Sequence, residues 1–172
     1  MAAIGILGDD AQVTASLLQR IFQEKGGMGR DSLYKITENE GHSIVSFDEK
    51  SLSVPVWILQ ENWEQADPAH NSADAMRDEY CCLIVNADTV RVSALRGHQG
   101  GLITYGFNPR TSVTASSVAD GAVQVCIQRG FRSLSQRTFE PQEFKALCPP
   151  EADPLQVLGA VTACAVCDIP MM

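Results

Sequence analysis

The chain has 172 residues, of which 45% are hydrophobic and 20% are charged, and this is the composition of a folded globular protein. The length predicts a single domain over residues 1–172, and the apolar content is too high for a disordered segment. Asp and Glu number 21 against 13 Lys and Arg, so the formal net charge is −8. An acidic chain without a basic stripe argues against nucleic acid and anionic membrane surfaces as partners.

The N-terminal segment and the cysteines bear on localisation. No apolar run reaches the ~18 to 20 residues that a membrane span needs. The first residues, MAAIGILGDD, lack the basic region of a secretory signal. We therefore interpret the six cysteines as reduced thiols, and the CxxC of Cys164 and Cys167 as small buried helix residues rather than a metal or redox site. Together these features predict a cytoplasmic protein without a membrane segment.

The first predicted elements are a strand, a tight turn and a helix. Residues 2–7 form a short apolar run that suits a strand buried on both faces. Gly8 and the two aspartates after it are turn and N-cap residues. Residues 11–25 carry the stripe of an amphipathic helix, which consists of Val13, Leu17, Leu18, Ile21 and Phe22. Two glycines at 26 and 27 end this predicted helix.

The remaining elements are predicted from residue type and turn signals. Runs rich in β-branched and aromatic residues predict strands at 33–37, 43–47, 54–59, 82–86 and 102–105. The segments between them predict a loop at 61–71, a polar helix at 72–80 and a helical turn at 88–95. An antiparallel meander is predicted at 113–118, 122–128 and 134–139, with Asp120-Gly121 as its first hairpin turn. Asp153 and Pro154 begin a last helix that runs to about residue 167.

Alternation of buried strands with helices predicts the fold class. It is an α/β fold with a three-layer, P-loop or Rossmann-like arrangement, in which helices cover both faces of a mostly parallel sheet. The meander adds an antiparallel β patch in the C-terminal third. No internal repeat or linker divides the chain.

The turn between the first strand and the first helix has the architecture of an anion site, because backbone N–H groups and a helix N-terminus converge there. The P-loop pattern GxxxxGK[ST] can be aligned from Gly5, but the residues that bind phosphate and magnesium in that pattern are absent. Ala11 replaces the second glycine, Gln12 the phosphate-binding lysine and Val13 the hydroxyl residue, while Thr14 is one position further on.

Two aspartates add negative charge at the same turn. Asp9 and Asp10 lie where a triphosphate would be placed. A like-charge contact at ~4 Å costs about 1 kcal/mol in water and about 4 kcal/mol at an effective dielectric constant of 20. ATP in the usual pose is therefore expected to bind weakly or not at all, and an ordinary strand-to-helix turn capped by aspartate is an equally good interpretation.

Three stretches in order resemble the central, ATP-binding domain of the Mur ligases, which add amino acids during peptidoglycan synthesis. They are GILGDDAQVTASLLQRIFQEKG, LIVNADTVRVSAL and LITYGFNPRTSVTASSV. The second contains the family's Asn-x-Asp step, and the third its Thr-Tyr-Gly step at residues 104–106. The resemblance covers most of the chain and implies ATP and Mg²⁺ as cofactors. It places the nucleotide-binding candidates at Gly8, Asp9, Asp10, Ala11, Gln12, Val13, Thr14, Asn86 and Asp88.

The chain departs from this family at the residues that carry its chemistry. The phosphate-binding lysine is absent, and no Asp-His dipeptide occurs. Arg77 stands in the segment where the family carries a carbamylated lysine, and Asp153-Pro154 replaces its His-Asn step. The family's two flanking domains are also expected to be missing. We therefore assign no catalytic residue and no metal ligand.

These observations predict a non-catalytic or regulatory binding module with a degenerate P-loop. One alternative is an ATP-dependent amide ligase of cell-wall peptide synthesis, or a subunit of one. Another is a weak binder of a nucleotide or small anion through the backbone amides of residues 8–12 together with Thr14. The expected partners are a second copy of the chain, a full-length ligase or a complementary chain, because domains without their neighbours expose former interface surface.

Overall fold

The computed structural model describes residues 3–25, 35–39, 42–46, 54–65 and 79–169. These residues contain eleven strands, two α-helices and two short 3-10 helices. In chain order they are β1 (Ala3–Leu7), α1 (Ala11–Lys25), β2 (Lys35–Asn39), β3 (His42–Ser46), β4 (Val56–Leu59), a 3-10 helix (Trp63–Gln65), β5 (Cys82–Asn86), a 3-10 helix (Val92–Leu95), β6 (Gly101–Tyr105), β7 (Val113–Ala119), β8 (Ala122–Ile127), β9 (Phe131–Arg132), β10 (Thr138–Phe139), β11 (Gln142–Leu147) and α2 (Pro154–Val166).

Nine strands form one sheet in the order β11-β8-β7-β6-β5-β4-β1-β3-β2. Its centre is parallel, since β1, β4, β5 and β6 run in the same direction and β7 joins β6 at one residue pair. The edges are antiparallel, with β3 and β2 on one side and β8 and β11 on the other. The predicted α/β fold with a parallel sheet and an antiparallel patch in the C-terminal third is confirmed.

Alternate residues of the central strands build two cores. Ile4, Ile58 and Ile84 point to the face covered by α1 and α2. The residues between them, such as Leu59 and Leu83, pack on the opposite face with side chains from the two 3-10 helices. This two-sided burial explains why the strands are continuous apolar runs, as expected for parallel strands in the middle of a sheet.

Helix α2 is buried on all sides, as a helix with apolar residues around its whole circumference should be. Its start confirms the predicted cap: the Asp153 side chain accepts a hydrogen bond from the Leu155 N–H at 2.8 Å, and the Gln156 side chain accepts one from the Asp153 N–H at 2.8 Å. Gly159 faces the ring of Tyr105, and a Cβ there would lie 3.0 Å from Tyr105 Cζ. The missing side chain thus lets the helix approach β6 closely.

The predicted third strand of the meander, residues 134–139, is wrong except at Thr138–Phe139, which form β10 and pair with β9 in a separate sheet rather than with β8. Residues 133–137 form the turn of the small β9–β10 hairpin, in which the Ser133 N–H donates to the Arg137 carbonyl at 2.9 Å. Gln136 has a positive φ of 66°, and the Leu134 N–H is used by the Val166 carbonyl at the end of α2. The meander is completed by β11, which pairs with β8.

Other boundaries differ by small shifts. The first hairpin turn is confirmed, because Asp120 and Gly121 have φ values of 51° and 69°, as a type I′ turn requires. Strands predicted at 33–37 and 43–47 are found at 35–39 and 42–46. The predicted helix at 72–80 lies outside the described residues except for 79 and 80, which form a turn.

Candidate functional site

The turn between β1 and α1 is only three residues long. Gly8 has a φ of 117° and Asp10 a φ of 59°, so the chain reverses sharply before α1 begins. The Asp10 carbonyl accepts hydrogen bonds from the N–H groups of Val13 and Thr14, at 3.0 and 3.2 Å, and so starts the helix. Asp9 and Asp10 are exposed, and Ala11 is buried beneath them.

Residues that follow β4 cover this turn. The Gln60 N–H donates to the Leu7 carbonyl at 2.9 Å, and the Asp9 N–H donates to the Glu61 carbonyl at 2.8 Å. The Asn62 side-chain amide donates to the Asp9 carboxylate at 2.7 Å. One backbone donor of the turn, and the carboxylate beside it, are therefore bound to the protein itself.

Gly5, where the P-loop pattern was aligned, lies in the middle of β1 rather than in the loop. It pairs with Trp57 of β4 and with Ile44 of β3. A Cβ at this position would overlap the indole ring of Trp57, including Cδ2 at 2.7 Å. The glycine thus accommodates an aromatic ring, and the loop that a P-loop wraps around a phosphate is replaced by a three-residue turn.

Thr14 contributes its hydroxyl group to a buried polar cluster. The Gln60 side-chain amide donates to Thr14 Oγ1 at 2.8 Å, and Thr14 is fully buried. Tyr105 is equally buried, and burial raises the pKa of its phenol well above the usual range, while the neighbouring Gln60 side chain lowers it and Asp88 raises it further. Of the P-loop candidates at the start of α1, Thr14 thus has its hydroxyl group inside the protein, whereas the Gln12 side chain is exposed and the Val13 side chain is half-buried.

Asn86 and Asp88 organise the loops after β5 and β6. The Asn86 side-chain oxygen accepts a hydrogen bond from the Asp88 N–H at 3.1 Å. The Asp88 carboxylate in turn accepts the N–H groups of Phe107 at 2.6 Å and Asn108 at 3.1 Å. Gly106 has a φ of 150°, and a Cβ there would lie 2.7 Å from the Asp88 carboxylate. Successive N–H groups of this kind form an anion-binding concavity, and here the Asp88 carboxylate fills it.

The candidate residues thus form two groups at the carboxyl edge of the parallel strands. Residues 8–14 follow β1, Asn86 ends β5 and Asp88 follows it, and β4 lies between these two strands. Segments 8–14 and 60–65 contain four carboxylates and neither Lys nor Arg. A polyphosphate at the first group would therefore meet repulsion from several sides.

The sequence did not reveal which residues form hydrogen bonds with the two groups of candidate residues. Gln60, Glu61 and Asn62 follow a buried strand directly, and polar residues at that position are the signal that could have indicated them. Phe107 and Asn108 act through backbone N–H groups, which leave no signal in residue type. Among the residues that the structure describes, there is no cluster of His, Cys, Asp and Glu suited to a metal ion.

Comparison with known proteins adds no family. No family model matches the chain, and a search of curated proteins finds no significant match. Within the described ranges, neither helix is long and apolar enough to cross a membrane.

Proposed function

We propose that this chain is a non-catalytic binding or regulatory module on a scaffold resembling the central domain of the Mur ligases. The observation that carries the proposal is that backbone N–H groups of the candidate site already form hydrogen bonds to other groups of the same chain. The Glu61 carbonyl takes the Asp9 N–H, and the Asp88 carboxylate takes the N–H groups that follow Gly106. Groups that would bind a nucleotide in an active relative are engaged by the chain itself.

Charge supports the same conclusion. Ligases that form an acyl-phosphate stabilise the transferring phosphoryl group with positive side chains and metal ions. At the β1–α1 turn this chain offers Gln12 between exposed aspartates and a buried threonine. Removing one electrostatic contact of this kind typically costs 10²- to 10³-fold in rate, and here several are replaced together.

The test measures binding of Mg-ATP by calorimetry and by thermal unfolding. We expect no saturable heat and no rise in melting temperature, whereas a site filled at 100 times its Kd would add about 2.7 kcal/mol to stability. A variant carrying Asp9→Asn, Asp10→Asn and Gln12→Lys separates charge from geometry. It removes the repulsion and restores the lysine but keeps the short turn, so it should also fail to bind.

Binding by the triple variant alone would show that charge, and not backbone geometry, is what excludes the nucleotide. Saturable binding by the unmodified chain, together with phosphate release when amines are added, would contradict the proposal and favour a ligase.

We also propose a reducing, cytoplasmic location, which the cysteines support. All six are free, and Cys81, Cys82, Cys164 and Cys167 are buried. Burial raises the pKa of Cys82 and of Cys167 to about 12, so these thiols are unreactive in the folded protein.

Titration of the thiols in protein prepared without a reductant tests the proposed location. Cys126 and Cys148 are half-buried, and burial is also the main cause of their raised pKa values. We expect these two to react slowly with an aromatic disulfide reagent at mildly alkaline pH, and all six to react after unfolding. Fewer than six after unfolding would reveal a disulfide and contradict a reducing location.

A further inference from the structure

Strand β11 has one unpaired edge in the part of the chain that the structure describes. It pairs with β8 through Gln142–Leu147 and stands first in the order of the nine-stranded sheet. The N–H and C=O groups of an edge strand that do not face its neighbour are available to another strand.

The two faces of β11 carry different chemistry. Phe144 is buried on the core face, while Glu143 and Lys145 on either side of it are exposed on the other. Across β8, Glu143 lies opposite Cys126 and Lys145 opposite Gln124. Within the described residues neither charge forms an ion pair. The strand thus presents one negative and one positive side chain that lack an opposite charge.

This pattern is complementary to itself in one register. In an antiparallel pair of two copies, residues directly opposite each other point to the same face of the sheet. If the two-fold axis lay between two residues, each core-face residue would be opposite an outer-face residue of the partner. The axis must therefore pass beside a single residue, which is then opposite its own copy. An axis at Glu143 or at Lys145 would oppose like charges. An axis at Phe144 places Glu143 of each copy opposite the partner's Lys145, and cross-strand pairs of opposite charge stabilise a sheet.

Apolar surface lies at the ends of the same register. Leu147 is 66% exposed at the end of β11, and it would lie opposite the partner's Pro141. Pro141 has no N–H and ends the ladder there. A slit of about 140 Å³ opens beside Leu147 between α1, α2 and β11. Its lining is apolar at Leu17, Ile21 and Val157 and charged at Arg20, Glu24 and Lys145. The partner's Pro141 would cover the Leu147 end of this slit.

We propose that β11 is a docking strand for a second copy of this chain, paired antiparallel about a two-fold axis at Phe144. The interface consists of one strand from each copy, the two Glu143–Lys145 pairs and the two Leu147–Pro141 contacts. Interfaces this small bury less than about 1,200 Å² and give weak, reversible association. The dimer does not depend on the proposed function, because no group of the β1–α1 turn takes part.

The experiment measures mass by sedimentation or light scattering from about 10 μM to about 1 mM, the range of weak association. The mass of the unmodified chain should rise towards twice that of one chain. Lys145→Glu and Glu143→Lys each oppose like charges twice, so either should raise the dissociation constant at least about tenfold. The double variant Glu143→Lys with Lys145→Glu exchanges the charges and should restore association to within about threefold of the original.

Matched controls carry the same change in net charge away from β11. Arg96 and Glu79 are exposed, so Arg96→Glu controls for Lys145→Glu, and Glu79→Lys for Glu143→Lys. Both should associate like the unmodified chain, and thermal melts should show that all variants fold.

Three results overturn the proposal. One is a mass equal to that of a single chain at the highest concentration, which would mean that the β11 edge faces solvent or pairs with a strand of a different protein. Another is association unaffected by the single reversals, which would place the contact on a different surface. The third is a double variant that folds but stays dissociated, because the register requires rescue.

Discussion

Replacing Gly8 by alanine is expected to lower the free energy of unfolding by about 3 kcal/mol. Two costs add at this residue. Its φ of 117° disfavours any side chain, and a Cβ would overlap the Glu61 carbonyl oxygen and lie 2.9 Å from the Gln60 carbonyl carbon. Because the Glu61 carbonyl accepts the Asp9 N–H, moving this carbonyl would also break the hydrogen bond that closes the turn.

Gly97→Ala is the matched control for this substitution. Gly97 has a φ of 95°, but a Cβ there would meet no atom within 4 Å. Only the backbone strain remains, so about 1 kcal/mol should be lost. Urea unfolding curves with linear extrapolation measure both values. Equal losses would mean that close contact with Glu61 contributes nothing.

The second large effect is expected from Gly5→Ala, which should cost about 3 kcal/mol through overpacking. The overlap with Trp57 cannot be relieved by rotating a flexible chain end, because the indole is itself only 3% exposed. Alanine at Gly101 of β6 is the control. There the nearest atom is Cys82 Sγ at 3.3 Å and the residue is exposed, so the loss should stay below about 1 kcal/mol.

A double-mutant cycle identifies the cause of the Gly5 effect. Trp57→Leu should destabilise by itself, since it leaves space in the core that Trp57 shares with Leu7 and Leu59. That space can accept the new methyl group, so the double variant should lose at least about 1 kcal/mol less than the sum of the single losses. Additive losses would show that alanine at Gly5 disturbs β1 by another route.

Local signals in the sequence were sufficient for much of the fold. The apolar run before Gly8 and the periodicity after it identify β1 and α1, and Asp153 with Pro154 identifies the start of α2. The turn at Asp120-Gly121 was equally clear, because adjacent residues with positive φ favour this pair of residue types. In each case the determining residues are neighbours in the chain.

The rest depended on contacts between distant segments. Gly5 matched the first position of a phosphate-binding pattern, but its environment is set by Trp57 on another strand. Asp88 matched a family motif, yet its partners are backbone N–H groups in the loop after β6. Residues 134–139 have the composition of a strand, whereas the end of α2 takes the Leu134 N–H and leaves β11 to complete the meander.

The complete enclosure of α2 determines how the protein can come apart. This helix packs against α1, against the parallel strands β4, β5 and β6, and against the antiparallel strands β7, β8 and β11. When the helix leaves, both the parallel and the antiparallel part of the sheet lose the core that they share with it on this face. Partial opening of one region would therefore expose the other, and we expect the amides in the middle of α2 to exchange with solvent only when the molecule unfolds as a unit.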